Sequence, residues 1–161
     1  MKRTFIYFVA AALSVWFVVP ASCQEHEFNT KYTKIHYSQE KDINDFIWKI
    51  GGQKIEFSED SGLASNRVDR IIEKVETILD MYPKNFRVNI YLYRGPIEPN
   101  KAAFYDYKTK SIHISVEYAT DGVLAHEAAH AVINQHFNPP PPSKVQEILT
   151  QYVDKYLWSD Y

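Results

Sequence analysis

Hydrophobic and polar residues alternate along this chain with periods that change from segment to segment. Lys2 and Arg3 precede an uncharged, mostly apolar run from Thr4 to Val19, and Pro20-Ala21-Ser22 come next before the sequence turns polar. Residues 24–31 are polar and read as a flexible lead. Tyr32 to Tyr37 reads as a short strand. Within Asp42 to Ile50, the residues Ile43, Phe46, Ile47 and Ile50 recur at helical spacing, and Gly51-Gly52 closes that helix. Lys54 to Phe57 reads as a second short strand.

From Ser65 to Tyr82, the side chains of Val68, Ile71, Ile72, Val75, Ile78, Leu79 and Tyr82 form one apolar stripe, with Arg and Glu opposite. Ser65 or Asn66 caps this helix and Pro83 ends it. Phe86 to Tyr93 alternates through Val88, Ile90 and Leu92, which predicts a strand broken by Gly95-Pro96. Ala103–Tyr107 and Ser111–Glu117 read as a hairpin turning at Lys108-Thr109-Lys110. A helical period returns from Asp121 to about Phe137, and Asn138 with the four prolines 139–142 stops it. Ser143 then caps a last helix to about Leu157. The order predicts a small α+β domain with a mainly antiparallel sheet packed against helices.

Composition narrows the function without naming it. The chain has 161 residues, a formal charge of −2 and 45% apolar residues. A core can form, and neither nucleic acid nor an anionic membrane is expected as a main partner. The charged, apolar and small residues at the start have the order of a secretory signal. The apolar run is short for a membrane span. Cleavage is expected after Ala21, with Cys23 the other possible point; an uncleaved segment would act as an anchor. Cys23 is the only cysteine, so no intramolecular disulfide can form. Lipid attachment at Cys23 is disfavoured, because Pro20 stands where lipoprotein signals carry Leu or a similar residue.

The segment with a chemical signature is His126-Glu127-Ala128-Ala129-His130. Four residues turn a helix by about 400°, so both imidazoles leave one face about one turn apart and can reach one tetrahedral zinc. Glu127 is rotated by about 100° from His126 and can lie beside the metal without ligating it. There it accepts a proton from a water that zinc has acidified towards about pH 7. At average composition this pattern arises by chance in well under about 1 in 50 chains of this length. The bland alternative makes both histidines structural.

A catalytic zinc needs a third protein ligand and one open position. His136 lies six residues after His130, the spacing of H-E-x-x-H-x-x-G-x-x-H. That pattern needs a glycine where Ile133 stands, and no Met comes after Met81 to form a methionine turn. Glu147 is favoured instead: it lies one turn into the next helix, past a stiff proline connection that can cross between antiparallel helices.

The two segments His126–His130 and Val145–Val153 together resemble the gluzincin zinc peptidases, most closely the compact minigluzincins and peptidase MA-like domains. The resemblance covers roughly residues 65–157. With the residue order at the start, the chain divides into a signal peptide at 1–22 and an N-terminal strand–helix extension at 23–64, and the resemblance implies a zincin-like catalytic domain at 65–161. It implies one zinc ion held by His126, His130 and Glu147, with Glu127 as the catalytic base. It also makes Ser111–Val116 the edge strand bordering a cleft for a peptide or protein substrate. Where the larger relatives carry an aspartate four residues after the glutamate ligand, this chain has Gln151, and Asp154 is the substitute for orienting the first histidine. Tyr152 is a guess for oxyanion stabilisation, and His113 is weighed as a cleft residue. The expected function is an exported metallopeptidase, periplasmic or secreted. The alternative is a weak or latent zinc-binding module that binds a protein partner.

Overall fold

The computed structural model describes residues 25–52, 57, 60–97 and 101–159. The segment expected to be a signal, Cys23 and all but Phe57 of the strand expected at 54–57 lie outside the described residues. Nine elements succeed one another: β1 (His26–Asn29), β2 (Thr33–Tyr37), α1 (Glu40–Gly51), α2 (Ser61–Leu79), β3 (Val88–Tyr93), β4 (Ala103–Asp106), β5 (Ser111–Ser115), α3 (Asp121–His136) and α4 (Ser143–Tyr156). The fold is α+β, a five-stranded sheet with four helices. Among the described residues no helix is long and apolar enough to cross a membrane.

The sheet has the order β1-β2-β3-β5-β4. It is mixed rather than mainly antiparallel. The β1–β2 and β4–β5 pairs are antiparallel, whereas β2–β3 and β3–β5 are parallel. The connections explain this. α1 and α2 form a crossover between β2 and β3, and the chain passes out to β4 before the hairpin returns β5 beside β3. Ser111–Ser115 is therefore an inner strand, and the expectation that it borders a cleft is corrected. Among the described residues the outer strands are β1 and β4.

Residues 24–31 read as a flexible lead in the sequence, yet His26–Asn29 forms an edge strand. Its side chains give little apolar signal; its stability comes from β2 and from Phe28, whose ring meets Phe57 edge-on at 4.7 Å. The turn to β2 is tied down by Asp69 on α2. The Asp69 carboxylate accepts from the Thr30 hydroxyl at 2.6 Å and the Lys31 N–H at 3.1 Å.

The helices pack on the sheet face carrying Ile35, Ile90, Ile112 and Ile114, all fully buried. Ile43, Phe46 and Ile47 of α1 and Val68, Ile72 and Val75 of α2 join the same core. The strand–helix segment before residue 65 thus shares one sheet and one core with the later strands and helices. α2 begins a turn earlier than its apolar stripe, because the Asp60 carboxylate caps it by accepting from the Leu63 N–H at 2.8 Å. It ends at Leu79, before Pro83, with Asp80 in the left-handed region at φ 52°.

α3 is buried over most of its length because it is enclosed by α2, α4 and the β4–β5 side of the sheet. Ala125, Ala128, Ala129 and Ala131 are all at 0% exposure. Their small side chains let neighbouring elements approach the helix that carries the histidines.

Candidate metal centre

His126 and His130 leave α3 on one face, with ring centroids 5.2 Å apart. The Thr120 hydroxyl fixes the helix start by accepting from the Val123 N–H at 3.1 Å. The proline connection then delivers α4 alongside α3, and Glu147 arrives one turn into α4. One Glu147 oxygen lies 3.4 Å from Nε2 of His130 and the other 3.9 Å from Nε2 of His126. One ligand atom from each of the three residues lies within 4.8 Å of the others, and no other such group of three exists among the described residues.

The spacing suits an ion. Two donors each about 2.0–2.1 Å from a tetrahedral zinc lie about 3.4 Å apart. The 3.4 Å between Nε2 of His130 and Oε1 of Glu147 matches that edge, and the 3.9 Å from Nε2 of His126, measured to Oε2, is a little wider. Both separations are long for a direct N–H···O hydrogen bond. Two imidazoles and a carboxylate are a fitting donor set for zinc.

The opposite ring nitrogens are engaged as metal-ligating histidines require. Nδ1 of His126 is 3.0 Å from the Asp154 carboxylate. Asp154 sits seven residues, about two helical turns, beyond Glu147 on the same side of α4, within reach of the first histidine. Nδ1 of His130 faces the Tyr107 hydroxyl at 3.2 Å and Oε1 of Gln146 at 3.5 Å. The Gln146 amide is buried and donates to the Pro141 carbonyl at 2.8 Å. A proton on each Nδ1 leaves each Nε2 lone pair directed at the Glu147 carboxylate. Burial lowers the pKa of His130, opposed by the nearby Glu147 charge, which favours the neutral ring a metal needs.

Glu127 is 9% exposed. Burial pushes its carboxyl up to about 6, against the pull of His126 and a hydrogen bond from the Tyr105 N–H. Tyr105 belongs to β4, so the true edge strand, not β5, touches the Glu127 carboxylate. Beside His126 and Glu127 opens a hollow of about 500 Å³ with Ala103, Val123, Leu157 and Trp158 among its walls.

Three positions that the sequence offered only as minor alternatives lie outside this cluster. His136 is exposed at the end of α3, edge-on to the Phe137 ring at 4.9 Å, and is not among the ligands. Tyr152 is 46% exposed on the outer side of α4, against Tyr156, and does not face the metal ligands. His113 alternates with Ile112 and Ile114 and lies on the far sheet face, stacked on Tyr91 at 5.2 Å and Phe104 at 4.7 Å. Sequence reasoning missed Tyr107 and Gln146. Gln146 adjoins the glutamate ligand, and Tyr107 stands at the mouth of the predicted hairpin turn; those positions were the available signals. No protein-family model, curated protein or solved structure matches the chain.

Proposed function

We propose that the protein is an exported zinc-dependent peptidase of the gluzincin kind. The observation that carries this reading is the convergence of His126, His130 and Glu147 with Glu127 buried beside them. Held by His126, His130 and Glu147, a zinc ion would supply Lewis acidity toward water and a peptide carbonyl. Glu127 takes the proton from the attacking water as the new C–O bond forms. It then gives that proton to the leaving nitrogen as the C–N bond breaks, so one amide and one water become a carboxylic acid and an amine. In the metal-free protein burial raises this carboxyl to about 6, toward the range where one group can both take and return a proton. The hollow walled by Ala103, Val123, Leu157 and Trp158 gives an apolar substrate side chain a place beside the reacting bond. Export is read from the charged, apolar and small residues of the first 22 positions.

The test is zinc content coupled to cleavage of a peptide library. Purified protein is expected to hold about one zinc per chain and to show cleavage that a chelator abolishes. Stoichiometric zinc without chelator-sensitive cleavage overturns the peptidase reading and leaves a zinc-binding module. No zinc overturns both.

A further inference from the structure

Building on the zinc-site reading above, we propose that Tyr107 is a positioning residue for the metal: its phenolic oxygen accepts the Nδ1–H of His130 and thereby holds Nε2 of that ring on the ion. A ring that ligates through Nε2 carries its hydrogen on Nδ1, and a buried N–H without an acceptor is costly. His130 is 5% exposed, so water is a poor substitute. His126 has the Asp154 carboxylate for this purpose. His130 has no carboxylate on that side, only two neutral oxygens. The Tyr107 oxygen at 3.2 Å is the nearer; Oε1 of Gln146 at 3.5 Å is at the outer limit of a hydrogen bond.

Tyr107 is held well enough to act this way. It comes directly after β4, and the turn beyond it is fixed by the Asp106 carboxylate, which accepts from the Lys108 N–H at 2.8 Å. Its ring stands edge-on to Tyr105 at 5.1 Å and edge-on to His130 at 6.1 Å. Tyr105 is buried, and its hydroxyl accepts from the Asn134 amide of α3 at 3.0 Å. The hairpin turn is thus anchored to the same helix that carries His130. Through Tyr107 the edge of the sheet acts on a metal ligand, and a domain whose ligands all come from α3 and α4 draws on a third element to orient them.

The experiment compares the full chain with its Tyr107→Phe variant, which keeps both ring contacts and removes the acceptor oxygen. Zinc affinity is measured by competition with a chromophoric chelator. The His130 Nδ1 proton is tracked in the zinc-loaded protein by ¹⁵N-imidazole NMR, and the melting temperature is taken after metal removal. The expected result is about a 10–100-fold weaker zinc affinity. A displaced or rapidly exchanging Nδ1 proton resonance is expected with it, while the metal-free melting temperature is unchanged. An affinity within about threefold of wild type, well below that range, or an unaltered Nδ1 resonance overturns the proposal. Wild-type protein that binds no zinc overturns the zinc-site reading instead, so the two failures are distinct.

Discussion

Glu127→Gln tests the buried carboxylate most sharply, because activity and stability move in opposite directions. The wild-type carboxyl titrates at about 6 against an ordinary 4.5, chiefly through burial. A raised folded-state pKa means that the fold favours the protonated form. That contribution is complete below about pH 4.5 and is lost as pH rises through about 6. At neutral pH the metal-free wild type therefore holds a charge in a place that resists it, at a cost of about 2 kcal/mol. Glutamine has nearly the same shape, carries no charge and still offers an oxygen to the Tyr105 N–H. Chelator-stripped Glu127→Gln is expected to be more stable than stripped wild type by about 2 kcal/mol at pH 7.5, or roughly 5–10 °C in Tm. The gain fades as pH falls below the range of the carboxyl. Urea or thermal melts across that pH range, with chelator present, measure it. The same variant is expected to bind zinc with wild-type stoichiometry and to cleave no peptide. A variant no more stable at pH 7.5, or one whose gain is the same at low pH, refutes the burial argument. An active variant refutes the catalytic role.

Asp154→Ala removes the acceptor 3.0 Å from Nδ1 of His126; zinc affinity measured by chelator competition is expected to fall about 10–100-fold, with the fold intact because Asp154 is exposed. His136→Ala is expected to leave zinc stoichiometry and affinity unchanged, since this exposed residue lies outside the ligand group; loss of metal would restore it as a ligand. Leu124→Ala empties a fully buried position on α3; urea denaturation is expected to show a loss of about 3 kcal/mol.

The convergence of His126, His130 and Glu147 was largely legible in the sequence because helical periodicity is a local property. His126, Glu127 and His130 need only one helix to share a side, and the proline connection limits where Glu147 can go. Asp154 emerged from the same period carried along α4. The sheet was harder to read. Strand order depends on which distant segments pair, and nothing between residues 86 and 117 marks β4 rather than β5 as the outer strand. β1 was missed because its pairing comes from β2 and its anchorage from Asp69, some 40 positions away in the chain. Tyr107 and Gln146 were invisible for a related reason: each matters only through the far nitrogen of His130. Tyr152, weighed as a core or groove tyrosine with an oxyanion role as a guess, is instead half-exposed against Tyr156.

The sheet's two faces are written in adjacent rows. Ile35, Ile90, Ile112 and Tyr105 stand opposite one another across four strands, and one position along stand His36, Tyr91, His113 and Phe104. The second row is a continuous stack of rings, with centroids 4.4, 5.2 and 4.7 Å apart and planes within 13° of parallel. In β2, β3 and β5 a slip by one residue would trade an aliphatic position for a ring on both faces at once, so misregistered pairings of those strands are rejected from either side. The demand reaches the metal. Tyr105 meets Glu127 and Tyr107 meets His130 only while β4 keeps its alignment. A ladder of rings on the face turned away from the helices therefore acts as the vernier that sets the alignment of the metal centre.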